Sequence, residues 1–287
     1  MYKRINSNLK SIIYICLASL FFSLMSTFVK LSSSNLNLIE IIFLRSLVST
    51  LILIPFIFFL KLKVKSNLYL HHLTRAVIGI SAMFLNFYAI SKLPLTNFTI
   101  ISFSKIFFIV PLAYVFLGEK IKTSYIFYIF IGFIGIIFIL GYEKANLTLL
   151  PYYFCAILAT FLIACIKIFV KNISKLENNI IIQFYFSLNS LIILFIPYLT
   201  IMSKILLIDF FFIFLLSIFG LLAQYFTIEG LKASLAVKVM PFDFSRIIFS
   251  SIIGVSFFSE KITVSMIVGT LIIIFAGVKL IQKSPST

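Results

Sequence analysis

The sequence predicts an all-α integral membrane protein: ten transmembrane helices arranged as two inverted five-helix repeats (5+5), with both termini in the cytoplasm. Three observations carry this expectation. There are ten long apolar runs, basic residues alternate between the loops that separate them, and a segment near residue 103 recurs near residue 244.

Composition sets the class. The chain is 62% hydrophobic and 11% charged, whereas soluble proteins carry about 25% charged residues, so a water-soluble globule is excluded. At about 20 apolar residues per crossing, ten helices use most of the 287 residues and leave short loops. The net charge of +16 is read as loop orientation signals and contact with anionic lipid headgroups, not as a nucleic-acid surface.

The first run, 11–29, follows Lys3, Arg4 and Lys10. It exceeds the roughly 7–15 apolar residues of a signal peptide and further runs follow it, so it is kept as span 1. The others lie at 38–60, 69–90, 95–117, 123–142, 149–170, 180–202, 209–230, 235–258 and 264–280. Lipid offers no hydrogen-bond partners to a backbone, and the runs are too continuously apolar for the alternating strands of an outer-membrane barrel, so they are helices. Loop charge tests the count. Lys61, Lys63 and Lys65, then Lys120 and Lys122, Lys171 and Lys175, Lys232, and Lys279 and Lys283 fall on the side of the N-terminus. The opposite loops hold one each: Lys30, Lys92, Lys144, Lys204 and Lys261. Cytoplasmic loops concentrate Lys and Arg, which places both termini inside. Cys16, Cys155 and Cys165 lie in apolar runs and are read as packing residues. His71 and His72 are adjacent, so they point to different sides of a helix and do not share a metal. No metal or cofactor is expected.

Residues 103–122 read FSKIFFIVPLAYVFLGEKIK and residues 244–263 read FSRIIFSSIIGVSFFSEKIT. At a fixed offset, Phe103, Ser104 and Lys105 meet Phe244, Ser245 and Arg246, and Glu119 and Lys120 meet Glu260 and Lys261. Five helices per half is an odd number, so two such copies (1–145 and 146–287) enter the membrane in opposite directions. Inverted repeats of this kind recur in secondary transporters, with the substrate near the midplane at the repeat interface.

Arg45 in FLRSLV, Arg75 in LTRAVIG, the YAISKLPLTNFTIISFSK segment, LGEKI and PFDFSR, in this order and on a ten-span plan, resemble the drug/metabolite transporter superfamily, and within it the EamA-like bacterial inner-membrane permeases. The resemblance covers nearly the whole chain. It implies a central cavity lined by spans 1, 3, 4, 6, 8 and 9, and it implies no particular substrate. Ser259 replaces the Gly118 of the first half, which leaves the tight helix end there in question.

Charge at membrane depth costs at least about 2.5–3.5 kcal/mol, so each deep ion needs a reason. Lys105, Lys238, Asp243 and Arg246 stand out. Lys105 and Arg246, at equivalent repeat positions, either attract a substrate carboxylate or phosphate or hold helices together through ion pairs. Asp243, one turn before Arg246, is read as its intrahelical partner, or as a group that carries a proton or meets a substrate amine. Span 1 has no acidic residue but offers Ser23, Ser26 and Thr27 on one face, for close packing first and substrate contact second. Asn86 and Tyr88 in span 3 and Gln224 and Tyr225 in span 8 either bond across helices or line a wet cavity. Phe103 and Phe244 are candidate cavity aromatics, and Pro111 is a candidate kink. Arg45 and Arg75, near helix ends, are expected to snorkel to headgroups. Glu119 with Lys120 and Glu260 with Lys261 are expected to trim a gate or hinge.

Scattered carboxylates and a single His pair do not make an enzyme's cluster. The expectation is an alternating-access carrier, monomer or homodimer, for a small polar metabolite such as an amino acid or a related zwitterionic or anionic compound. The alternative is a cofactor-like metabolite such as S-adenosylmethionine, which the resemblance suggests because some relatives carry it.

Overall fold

A computed structural model describes residues 2–118, 124–142, 147–234 and 239–282, and among them every regular element is helical. The helices are α1 (Tyr2–Ser32), α2 (Leu38–Phe59), α3 (Tyr69–Lys92), α4 (Leu95–Ser102), α5 (Lys105–Leu117), α6 (Ser124–Tyr142), α7 (Leu150–Ile173), α8 (Asn179–Ile201), α9 (Leu207–Ala233), α10 (Ser245–Phe258) and α11 (Val264–Gln282). Short 3-10 turns precede α7 (Leu147–Leu149) and α10 (Met240–Phe244). Seven segments are long and apolar enough to cross a membrane: α1, α2, α3, α4 with α5, α7, α8 and α9. Shorter apolar stretches in α6 and α11, and the Met240–Phe244 turn with α10, bring the arrangement to the ten spans expected.

Local chemistry sets the helix ends. Before α2, the Asn37 amide donates to Glu40 Oε2 at 2.9 Å, and before α8 the Asn178 side chain accepts from the Ile180 amide at 2.9 Å. Each satisfies a donor that the first helical turn leaves free. Gly118 (φ 65°) and Ser259 (φ 50°) close α5 and α10 in the same left-handed conformation, so the serine keeps the tight end that the glycine makes. Corresponding boundaries fall 141 residues apart: α1 and α7 end at Ser32 and Ile173, α3 and α9 at Lys92 and Ala233, and α5 and α10 at Leu117 and Phe258.

Packing follows a pattern of crossed pairs. α1 lies along α9 and α3 along α7, α2 along α8 and α6 along α11, with α4 against α10 at the centre. Phe21 and Phe28 of α1 stack on Phe219 of α9 at 6.1 and 5.8 Å. The polarity is reversed relative to a soluble protein. Phe59, Phe116 and Phe257 are exposed on the outer surface while Ser19, Ser23 and Ser26 are fully buried, as expected where small polar residues allow helices to approach closely in lipid.

The fourth run is not one helix. It breaks at Phe103-Ser104, upstream of Pro111, which α5 carries in its interior. At the break the Phe103 and Ser104 amides turn to the carbonyls of Ile100 and Ile101, and the Ser102 hydroxyl donates to the Thr99 carbonyl at 2.7 Å. The Met240–Phe244 turn is similar, with the Ser245 hydroxyl donating to the Phe242 carbonyl at 3.0 Å. Serine back-bonding of this kind competes with the regular helical ladder, so the interruption falls on the serines, not on the proline.

Candidate functional site

The two interruptions meet at the centre of the molecule. The rings of Phe103 and Phe244 lie 5.1 Å apart, and directly beyond them the Lys105 ammonium forms an ion pair with Asp243. The Ser19 hydroxyl, from α1, bonds the other Asp243 oxygen. The expected intrahelical partnership of Asp243 with Arg246 is therefore replaced by one across helices. The chain turns between Asp243 and Arg246 from a 3-10 to an α conformation, and Arg246 Nη2 donates to Ser26 Oγ at 2.8 Å instead. Asp243 is 5% exposed and Lys105 4%, so the pair is buried and each charge depends on the other.

Beside this pair lies a cavity of about 140 Å³, room for a small metabolite and below the roughly 300 Å³ at which drug-sized pockets begin. Its wall carries five cationic residues, Arg45, Arg75, Lys105, Lys167 and Arg246, and among the described residues no carboxylate. Asn86 and Gln224 also face it. Arg45 and Arg75 correct the expectation of snorkelling. Both are 4% exposed, because their stems point into the bundle and find partners there. Arg45 Nη1 meets Met83 Sδ at 2.9 Å, while Arg75 donates to the Ile182 carbonyl at 2.8 Å and to Gln224 Oε1 at 3.4 Å, with its guanidinium 4.6 Å from the Phe186 ring. The Nε atoms of Arg45, Arg75 and Arg246, and Asn86 Oδ1, are buried without a protein hydrogen-bond partner among the described residues.

Lys167, on α7, was not singled out by the sequence. Its ammonium forms no ion pair among the described residues and lies 5.4 Å from the Phe22 ring, which the Arg246 guanidinium approaches at 5.2 Å. Its position 141 residues after Ser26 explains the omission: a comparison of halves sets it against a neutral side chain. A plain search for cations inside apolar runs would have found it.

The remaining sequence candidates divide. Ser23 donates to the Ser19 carbonyl at 3.0 Å and to the Arg246 carbonyl at 3.4 Å, and Thr27 to the Ser23 carbonyl at 3.0 Å, so both act in the α1 seam rather than on the cavity wall. Ser104 is buried at the α4–α5 break and its hydroxyl has no partner among the described residues. Tyr88 stacks on Tyr152 at 4.9 Å, away from the cavity wall. Tyr225 is 38% exposed and its carbonyl accepts from Asn179, so it too stands outside the site. Lys238, Glu119 and Lys120 lie outside the described residues.

Glu260 behaves as gate trim. One carboxylate oxygen accepts from Lys30 Nζ at 2.8 Å and from the Leu95 amide at 2.5 Å, and the other from the Thr96 amide and hydroxyl at 3.0 Å each. This clamp ties the loop after α10 to the end of α1 and the start of α4. Burial raises the Glu260 carboxyl, but the Lys30 and amide bonds outweigh it and hold the group below its ordinary range. Near the start of α3, His72 Nε2 lies 2.6 Å from Glu177 and its ring stacks on Tyr185 at 4.5 Å.

Comparison with known proteins agrees with this architecture. Residues 9–141 match the model of the EamA-like transporter family. An uncharacterized transporter of Helicobacter pylori is 27% identical, with 95% of this chain and 94% of that protein covered. An S-adenosylmethionine uptake transporter of Rickettsia felis is 27% identical over 88% of this chain and 86% of its own length. A pseudopaline exporter of Pseudomonas aeruginosa is 27% identical over 59% and 60%. A solved crystal structure superposes with a TM-score of 0.72 at 13% identity, covering 96% of this chain and 97% of the other, a likeness of fold. The names of these relatives point to transport and not to enzymatic chemistry. With ten helices apolar enough in sum for a multi-pass protein of the bacterial inner membrane, and with a polar cavity enclosed among them, the chain is a member of the EamA-like transporter family, within the drug/metabolite transporter superfamily.

Proposed function

We propose that this chain is an alternating-access carrier for a small polar metabolite bearing an anionic group, of which amino acids and related compounds are the first class to test. The observation that carries the proposal is the cation-walled cavity beside two interrupted helices. Interrupted helices at a repeat interface are where secondary transporters bind substrate. Lys105 and Arg246 supply positive charge from the two sides, and Asp243 fixes Lys105 in place.

The proposal includes the 5+5 organisation, with repeats at 1–145 and 146–287 and both termini in the cytoplasm. Its support is the constant separation of helix ends, the matched interruptions and left-handed caps, and the contact of Phe103 with Phe244. The crossed packing pattern is also the one a pseudo-two-fold axis in the membrane plane produces, since it maps α1 on α9 to α7 on α3. Rocking of one half against the other then opens the cavity to each side in turn. The Glu260 clamp is suited to holding one side shut.

A second reading, uptake of S-adenosylmethionine, rests on the Rickettsia relative, which aligns over most of both chains. Sealed proteoliposomes containing the purified chain and a panel of labelled metabolites test both readings. Saturable entry of an anionic or zwitterionic solute is the expected result; exclusion of every solute defeats the carrier assignment.

A further inference from the structure

We infer that the substrate carries at least two anionic groups on a compact frame and is net negative, in the manner of a short dicarboxylate or a phosphorylated metabolite. The inference rests on the carrier reading above and narrows its substrate class.

It follows from which cations already have partners. Lys105, Asp243 and Ser19 satisfy one another and form a neutral unit. Four cations remain on the wall, and every partner they have is neutral: Met83 sulfur for Arg45, a carbonyl and Gln224 for Arg75, Ser26 for Arg246 and the Phe22 ring for Lys167. They form two groups. Arg45 and Arg75 come from α2 and α3, while Lys167 and Arg246, from α7 and α10, share the two sides of one aromatic side chain. The unpartnered Nε atoms of Arg45 and Arg246 leave one guanidinium edge in each group able to donate to a further acceptor.

A zwitterion balances none of this excess, because its ammonium adds the charge that its carboxylate removes. A net cation such as S-adenosylmethionine increases the repulsion. A molecule with two anionic ends meets one group at each end, and its small size suits a cavity of about 140 Å³. The same logic assigns Lys167 a part in specificity. It holds no other element in place, so its charge is free for the ligand.

The test is a thermal-shift titration of the purified full-length chain with succinate, glutarate, L-glutamate and glycerol 3-phosphate, set against acetate, L-alanine, L-arginine and S-adenosylmethionine. It is paired with uptake of the same solutes into proteoliposomes. At least one dianionic probe is expected to raise the apparent melting temperature saturably. Its affinity should fall about tenfold in Lys167→Gln and recover in Lys167→Arg, with the unliganded melting temperature little changed. Arg45→Lys gives a second variant that keeps the charge but loses the planar fork, and a several-fold loss is expected. Stabilisation by alanine or S-adenosylmethionine with none by any dianion overturns the inference, as does dianion binding indifferent to Lys167→Gln, or no response to any dianion at all. Saturable uptake of a zwitterion alone would leave the carrier reading standing and this one refuted. Lys167-dependent dianion binding without uptake would do the reverse.

Discussion

The two interrupted spans share a backbone and differ in their charge. α4 with α5, and the Met240–Phe244 turn with α10, break at corresponding places, place Phe103 against Phe244 and end in matching left-handed caps at Gly118 and Ser259. Yet the position 141 residues before Asp243 is Ser102, a neutral residue bonded to its own helix. The Lys105 side of the site is therefore closed by a carboxylate and the Arg246 side is not. Geometry is repeated and chemistry is not, which is how a symmetric frame comes to hold an asymmetric, net-positive site.

The largest effect should come from removing the carboxylate. Asp243→Asn leaves Lys105 buried without a counter-charge, a change that costs about 3–5 kcal/mol when one member of a buried pair is lost. It should appear as a clear fall in the melting temperature of the detergent-solubilised protein, and an unchanged melting temperature would show that the pair does not hold the two spans together. The converse substitution, Ser102→Asp, gives the Arg246 side the acid it lacks. Uptake is expected to drop by at least about tenfold, equivalent to about 1.4 kcal/mol of lost binding, while membrane insertion stays normal. Wild-type uptake by this variant would mean that the charge difference between the sides is incidental.

Smaller effects are expected at the clamp. A Cβ added at Gly254 would lie 2.6 Å from Glu260 Oε2 and 2.9 Å from Thr96 Oγ1, so Gly254→Ala must displace the carboxylate from its partners. A loss of about 1–3 kcal/mol follows, read as greater labelling of a cysteine introduced at Thr96. The clamp is also acid-sensitive in a defined direction. Because the Glu260 carboxyl is held below its ordinary value of 4.5, its contribution is fully present above that pH and is lost as the pH falls through the lower, folded value. Glu260→Gln should remove that acid dependence. The smallest effects belong to the caps. Gly118→Ala meets no atom within 4 Å but must adopt φ 65°, at about 1 kcal/mol, whereas Ser259→Gly should be neutral or stabilising by less than that. Equal responses would imply that the two helix ends are not equivalent in strain.

Much of this was legible in the sequence because lipid imposes a simple rule: long apolar runs must be helices, and repeated FS[KR]I and EKI segments fix a register. That register placed Lys105 beside Arg246's cavity and Phe103 against Phe244 before any coordinates. The errors have a common physical source, since hydropathy reports depth along a span but not the direction a side chain faces. Arg45 and Arg75 sit where snorkelling is open to them, yet they turn inward to Met83, Gln224 and the Ile182 carbonyl. Asp243 has Arg246 within reach along its own chain, yet Lys105 reaches it from another helix. Tyr88 and Tyr225 occupy polar-looking positions and face neighbours outside the cavity. Lys167 escaped notice because neither a motif nor its repeat mate marks it.

The most direct test of the central claim, that the cations beside the interrupted helices bind the transported solute, is saturable uptake by Lys105→Ala and Arg246→Ala in sealed proteoliposomes, with insertion verified for each. Both variants are expected to lose uptake while remaining folded in the membrane. Wild-type uptake by both would contradict the account and leave these residues as ties between helices.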